Sequence, residues 1–394
     1  MNKKLLLVID WSGLMYRSLA LNALYGLTGR GTNYDSMDEV KSFVYKFATD
    51  ICAILNIFQA NKILIAVDSS KPWRKEIDLG EIGYKGNRHR EGTYNWKNIY
   101  KGADDLAEIF KRQGCIVAKT EHGEADDMAC LTKETVFEKY HDYNIIIVSA
   151  DADLRQLVDF NKLTNQFCLV YNTIAKPKTG KRMLYCTQEF VDWLNTPDSS
   201  DIFFSSIDMA RQNMHNTLKK NPVIEITVDN PNEIVIGKIF GGDESDNVPS
   251  FYNWYSNTRL YKISPLKTKK ICENAEIRCV SDLVDVANKG MLQHVIETVI
   301  NRKIEDIDIL ERLNRQRKLV ELNSVLFPNY IREYKADIEM MLGEQNQMIY
   351  PLKANTVLAG TDYSGSSKRQ AVEAEIFKEL GKYANTTMNG TPLF

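Results

Sequence analysis

Two aspartates stand one residue apart in the stretch NIIIVSADADL, where Asp151 and Asp153 follow directly on an apolar run. Two like charges about 4 Å apart at an effective dielectric near 20 repel by roughly 4 kcal/mol, so something must offset that cost. The pair has company. Asp10 follows LLLVI, Asp68 follows ILIAV, and Glu124, Asp126 and Asp127 stand where the chain enters a helix after CIVAKTEHG. Asp243 and Asp246, in GGDESDNVPS, are spaced i, i+3; on an incipient helix both would share one face, and the two glycines would allow a close backbone approach. Any one of these acids has a plain reading as a helix cap or turn residue. Nine carboxylates at one site call for bound cation instead. Hard oxygen donors with almost no histidine nearby suit two Mg²⁺ ions, with Mn²⁺ as the substitute. Two such ions clamp the attacking and leaving oxygens of an in-line displacement at phosphorus.

Such a site needs a scaffold that brings distant residues together. The runs Leu5 to Ile9, Ile63 to Val67, Cys115 to Ala118 and Ile145 to Val148 are continuous and rich in β-branched residues, as strands buried on both faces of a parallel sheet are. Helix-period segments lie between them: Ser36 to Phe58 after a serine cap, Ala103 to Arg112, and Glu124 to Lys139. The alternation predicts a doubly wound α/β domain. In an open parallel sheet the carboxyl ends of the strands share one edge, where ligands bind, and each of the four runs ends in acid.

The 394 residues are enough for one large domain and a smaller one, and 44% apolar residues can build real cores. No apolar run approaches the 18 or more residues of a membrane span, and LLLVI after Lys3 and Lys4 is stopped by Asp10, which predicts a soluble, unexported chain. Seven scattered cysteines without a C-x-x-C pair or a close histidine leave no zinc pattern and fit a reducing cytoplasm. The net charge is only -2, so the chain is no simple polycation, but basic residues cluster. Lys85, Arg88, Arg90, Lys97 and Lys101 face a single Glu91 in Tyr84 to Lys101, interleaved with Tyr84, Tyr94, Trp96 and Tyr100. That mixture suits a single nucleic-acid strand, through phosphate pairing and base stacking, as well as it suits a solvated helix face. A second basic run, Arg259 to Lys270, contains Lys267, Thr268, Lys269 and Lys270 and no acid.

The set VID (Asp10), VDSSKPWRKE (Asp68), YKGNR (Lys85, Arg88), GEADDMA (Glu124, Asp126, Asp127), SADADL (Asp151, Asp153) and GGDESDNVP (Asp243, Asp246) resembles the 5′ nucleases, or flap endonucleases, in order, spacing and type over roughly residues 1 to 340. Among them it is most similar to the T-even bacteriophage branch named for ribonuclease H. The resemblance implies a PIN/5′-nuclease-like α/β fold with a parallel-rich central sheet, helices on both faces, a helical arch and a helical C-terminal DNA-binding region. It implies a metal-dependent 5′ to 3′ exonuclease and flap endonuclease acting on branched or nicked DNA and on RNA/DNA hybrids, removing RNA primers during lagging-strand synthesis. Asp10, Asp68, Glu124, Asp126 and Asp151 would hold the first metal, and Asp153, Asp243 and Asp246 would shape the second, with Asp127 close by. Lys85 and Arg88, at the base of the arch, would stabilise charge on the scissile phosphate. Arg90, Lys97 and Lys101 would follow the strand. Lys267, Thr268, Lys269 and Lys270 would grip duplex phosphates at a helix-turn-helix variant, in which ISPLKT replaces the usual glycine-rich hairpin and 251 to 261 is inserted.

The implied organisation is a nuclease domain over 1–240 with the arch near 72–102 and an insertion at 197–230. A duplex-binding region over 241–351 follows, and then a linker, an amphipathic helix and a tail over 352–394. GTDYSGSS reads as the flexible linker, and Val372, Ile376, Leu380 and Tyr383 form the apolar stripe of the helix. The final Leu393 and Phe394 look like a sliding-clamp anchor, although a frayed end has the same look. Replication partners, a clamp and a single-stranded-DNA-binding protein, follow from the resemblance, as do a monomer, no membrane contact and the host cytoplasm for a phage-encoded chain. Two other enzyme classes fit less. A Toprim domain has no use for Asp10, Asp68 or the Asp243 and Asp246 pair, and a dehalogenase-type phosphatase needs an Asp where Ser12 stands. A non-catalytic, structure-specific binder of branched DNA is the alternative of a different class, and its mark would be missing metal carboxylates.

Overall fold

The computed structural model describes residues 3–24, 33–79, 83–87, 94–175, 180–196, 224–251, 263–303, 308–344 and 350–364. Eight strands among these form one sheet in the order β3-β2-β1-β4-β6-β7-β8, with β5 paired to β6. The four expected runs are β1 (Lys4–Asp10), β2 (Lys62–Ala66), β3 (Ile116–Ala118) and β4 (Tyr143–Val148), and β1 pairs in parallel with both β2 and β4. Four strands were not anticipated: β5 (Asp159–Asn161), β6 (Gln166–Tyr171), β7 (Arg182–Cys186) and β8 (Ile224–Val228). β6 continues the parallel sheet beside β4, whereas the β6–β7 pair is antiparallel. The sheet is therefore mixed and mostly parallel. The segment read as an insertion ends within it, since β8 pairs in parallel with β7.

Continuous apolar runs bury both faces, as parallel strands require. In β1, Leu5, Leu7 and Ile9 enter one core and Leu6 and Val8 the other. The first core packs under α1 (Trp11–Leu24), α2 (Met37–Phe58) and α3 (Trp96–Arg112); the second packs under α4 (Ala125–Lys139). Ser36 closes α2 as expected, accepting from the Glu39 amide while Glu39 returns to the Ser36 amide. α3 starts at Trp96, seven residues before the periodic stretch read from sequence, because Asn95 caps it and Ile99 adds an apolar contact to the buried face. Helix α5 spans Gln188–Leu194, and a third core holds the next two helices, α6 (Pro231–Gly241) and α7 (Pro265–Asn274), where Ile239, Phe240 and Ile271 are buried.

The stretch from Tyr350 to Ser364 packs against α2 and α3. Asn56 exchanges two hydrogen bonds with the Leu352 backbone, both 2.7 Å, and Ala354, Val357, Leu358 and Tyr363 join the first core. The Tyr363 hydroxyl donates to Asp105 at 2.5 Å, so the part of the expected linker up to Ser364 is a strap anchored by the buried Tyr363, with Gly360, Asp362 and Ser364 exposed. The amphipathic stripe and Leu393 and Phe394 lie outside the described residues. No helix among the described residues is long and apolar enough to cross a membrane.

A candidate carboxylate site at the sheet edge

The parallel register sets the site. Asp10 ends β1, with Ile9 level with Val148 of β4 and with Ile65 of β2, so Asp10, Asp68, Asp151 and Asp153 leave the sheet on one edge. Asp68 accepts from the Ala125 amide at 2.7 Å, which fastens the residue after β2 to the first turn of α4 and brings Glu124 and Asp126 to the same edge.

Asp10 is held on both oxygens. Its Oδ1 accepts from the Gly13 amide at 2.9 Å and its Oδ2 from the Ser149 hydroxyl at 2.6 Å, while Ser149 Oγ accepts from the Asp151 amide at 2.9 Å. Ser149 is buried and ties the ends of β1 and β4 together. Gly13 is required by contact, because a Cβ there would lie 2.3 Å from Asp10 Oδ2. Burial, with the charges of Asp68 and Asp151 adding to it, pushes the Asp10 carboxyl up to about 6. Asp126 is raised well above the ordinary carboxylate range, first by burial and then by Asp151 and Asp10. Negative charge gathered around Asp10 and Asp126 in this way is what a divalent cation would neutralise, and the donors are all oxygen. Among the described residues no three of them close on a common point at metal-ligand distance, so the edge is a convergence and not a formed cage.

Glu124 and Asp127 face a buried cation that the sequence did not announce. Arg74 Nη1 lies 2.7 Å from Glu124 Oε2 and 2.8 Å from Asp127 Oδ1, with Arg74 only 2% exposed. Asp127 Oδ2 accepts from Trp73 Nε1 and from the Glu124 amide, both at 2.9 Å. Asp127 therefore points into the protein, fully buried, and not toward Asp10 and Asp151. Glu124 has a second cation, Lys85, whose Nζ is 2.5 Å from Oε1. Burial alone would raise Glu124, but Lys85 and Arg74 hold its carboxyl down to about 2. Asp127, sharing Arg74 alone, is raised, since burial there outweighs the arginine. The Lys85 ammonium is raised above its usual value against burial, chiefly by Glu124 and Asp246.

The Asp243 and Asp246 pair does not share a helix face. Asp243 and Val248 exchange backbone hydrogen bonds of 2.8 and 2.7 Å that close a turn, and Gly242 leads into it at φ 76°, where a Cβ would meet Val248 O at 2.5 Å. The two side chains consequently part. Asp246 Oδ2 accepts from the buried Tyr84 hydroxyl at 3.0 Å and lies 3.6 Å from Lys85 Nζ. Asp243 Oδ2 is 2.5 Å from Lys238 Nζ, and the same ammonium hydrogen-bonds Asp153. Lys238 thus stands between Asp153 and Asp243, two of the three carboxylates expected to shape a second metal. Burial lifts Asp153 to about 6 with Lys238 opposing, whereas Asp243, aided by Lys238 and Ser245, lies below the ordinary range.

Lys85 reaches the site, its amide donating to Asp246 O at 2.8 Å. Arg88 and Arg90 lie outside the described residues. Lys97 and Lys101 belong to α3, which packs on the sheet, and Lys101 pairs with Asp105 at 2.6 Å. The aromatics of this segment are packed and not splayed: Tyr94 against Tyr34, Trp96 against Tyr16 and Tyr100, and Tyr84 in the third core. At the second basic run, Ser264 caps α7, Pro265 takes its first position, Thr268 is buried, and Lys269 and Lys270 are exposed; the preceding 252–262 lie outside the described residues. Arg74, Tyr84, Ser149, Gly13 and Lys238 were missed in the sequence. Arg74 stands inside VDSSKPWRKE, Tyr84 opens YKGNR and Ser149 opens SADADL, while Gly13 follows Asp10 by three residues and Lys238 precedes Asp243 by five, so each lay in or beside a recognised motif without a carboxylate to mark it.

Residues 5–188 match the family model of the 5′-3′ exonuclease N-terminal, resolvase-like domain. No curated protein matches the chain. Among solved structures, a 5′-exonuclease of bacteriophage T5 with zinc ions bound covers 86% of this chain and 99% of its own at 15% identity and a TM-score of 0.51. A T5 flap endonuclease in a complex with DNA and metal ions covers 86% and 100%, at 15% identity and a TM-score of 0.45. The catalytic core of Rad2 in complex with DNA substrate covers 91% of each chain, at 10% identity and a TM-score of 0.37. The first of these likenesses shows the fold.

Proposed function

We propose, from the match of residues 5–188 to the family model of the 5′-3′ exonuclease N-terminal domain, that this chain is a metal-dependent 5′ to 3′ exonuclease and flap endonuclease. Its substrates are branched or nicked DNA and RNA/DNA hybrids, and its place is the removal of RNA primers in lagging-strand replication. The observation that carries the reading is the convergence of Asp10, Asp68, Asp126 and Asp151 at one sheet edge with Lys85 beside them.

Asp10, Asp68, Asp126, Asp151 and Glu124 would hold one Mg²⁺ or Mn²⁺, and Asp153, Asp243 and Asp246 the surroundings of another; Asp127 stays with Arg74. The bound ions supply water activation and neutralisation of charge in hydrolysis at phosphorus. Ser149 and Gly13 keep Asp10 in one rotamer, so no reorganisation is spent when the site fills. Lys85 is the group of this chain placed to meet a phosphate: its ammonium is charged, Asp246 O holds its backbone amide at 2.8 Å, and its Nζ lies 5.0 Å from the centre of the Tyr84 ring. Arg88 would act beside it. Lys267, Lys269 and Lys270, with the α7 amides, would hold duplex phosphates, and Leu393 and Phe394 would meet a sliding clamp.

The test is single-turnover cleavage of 5′-labelled flap, nicked and blunt duplexes in Mg²⁺ and in EDTA. Magnesium-dependent cutting near the flap junction supports the nuclease. Tight flap binding with no cutting under any divalent metal replaces it with a structure-specific binder.

A further inference from the structure

Arg74 is a buried cation beside the site whose charge the proposed chemistry does not use. Its guanidinium lies over Trp73 at 4.6 Å and Phe327 at 5.7 Å, deep in the second core, and its Nη2 has no hydrogen-bond partner. Burying a cation with a donor unsatisfied is expensive, and an apolar side chain between two aromatic rings would often serve stability as well or better. The charge needs a reason at Glu124 and Asp127, the two carboxylates its Nη1 touches.

The two are held unequally. Asp127 accepts two hydrogen bonds at Oδ2, from Trp73 Nε1 and the Glu124 amide, while its Oδ1 is paired only by charge with Arg74 Nη1 at 2.8 Å, and it turns away from the sheet edge. Glu124 meets Arg74 only through Oε2, leaving Oε1 on the side of the site, where Lys85 Nζ takes it at 2.5 Å. Arg74 itself cannot shift, because Trp73 is anchored by its amide to His122 O at 2.8 Å and the rings close over the guanidinium. One oxygen of Glu124 is thereby fixed to the interior and the other presented.

We propose that Arg74 is a positioning residue of the carboxylate site: it fixes Glu124 through Oε2 so that Oε1 alone is offered to a divalent cation, a place Lys85 holds in this structure. The inference rests on the proposed metal-dependent reading. It assigns the arginine no contact with nucleic acid, and it makes Asp127 the counter-charge that keeps Arg74 in place.

The test is Mn²⁺ binding to the full chain without nucleic acid, by electron paramagnetic resonance of free Mn²⁺, well below the melting temperature of each variant. Arg74→Lys keeps a positive charge but loses the planar fork, and it should bind Mn²⁺ on the order of 10- to 100-fold more weakly than wild type. Arg74→Met combined with Asp127→Asn removes the buried pair as a pair; its melting temperature should return toward wild type while Mn²⁺ affinity stays weak, a split that a merely structural arginine would not produce. Should Arg74→Lys fail to fold, the double variant carries the same comparison. Wild-type affinity in either folded variant overturns the positioning role and leaves the metal site standing. A wild-type chain that binds no Mn²⁺ overturns the metal site and this inference together.

Discussion

Lys85 Nζ and Glu124 Oε1 lie 2.5 Å apart, joining the segment after β2 to the first residue before α4. A basic side chain poised at the rim of an acidic edge is held there by the charge it will leave when a phosphate arrives. Lys85→Ala should therefore lower the single-turnover rate by about 10²- to 10³-fold with a modest change in flap affinity. Rapid-quench rates alongside fluorescence anisotropy check this, and an unchanged rate removes Lys85 from the chemistry.

Lys238 bridges Asp153 and Asp243 where a second cation is proposed. Without the lysine those two partly buried carboxylates repel. Lys238→Met should cost about 1–3 kcal/mol of stability in EDTA, and added Mg²⁺ should recover part of it by standing in for the ammonium. Urea melts with and without Mg²⁺ measure the difference; equal losses in both would mean that no cation competes for the place.

Asp153→Asn keeps the shape of the side chain and removes its charge, so it should abolish cleavage yet preserve binding of branched DNA. Anisotropy and cleavage on one flap substrate decide it. Loss of binding, with cutting of whatever remains bound, contradicts the assignment.

At Gly13 two effects oppose each other. Alanine is favoured over glycine within a helix by about 0.8–1.0 kcal/mol, but its Cβ would lie 2.3 Å from Asp10 Oδ2. Gly13→Ala should thus melt close to wild type while losing Mg²⁺-dependent activity, because the helix tolerates the methyl and the Asp10 rotamer does not. Thermal melts and a Mg²⁺ titration of the cleavage rate test the two halves separately.

The strand runs of β1 to β4, the capped α2 and the acids at the strand ends were legible because each depends on local pattern: continuous β-branched runs, a serine three residues before a glutamate, and acid immediately after. β5, β7 and β8 were not, because they are short or less uniformly apolar and their pairing is decided by neighbours distant in sequence, whereas β6, with FCLVY buried throughout, carried the same local pattern as β4 and was missed all the same. The α3 start was missed for a related reason: Trp96, Tyr94 and Tyr100 read as accessible aromatics, yet they pack on one another and on Tyr16 and Tyr34.

By itself the chain determined which carboxylates could meet, since parallel strands put all their carboxyl ends on one edge whatever the loops do. Tertiary structure alone decided what each of them faces. Asp126 and Asp127 are adjacent in sequence, but successive helical residues point about 100° apart, and only the packed core says that one direction holds Asp10 and Asp151 and the other a buried arginine. The same holds for Asp243 and Asp246, whose i, i+3 spacing suggested one face until the Asp243–Val248 bridge made a turn of it and sent one to Lys238 and the other to Tyr84. Residue type and spacing specify the charges a site contains. Burial and the partners brought in from distant segments specify which of those charges are neutralised within the protein and which are left for a ligand.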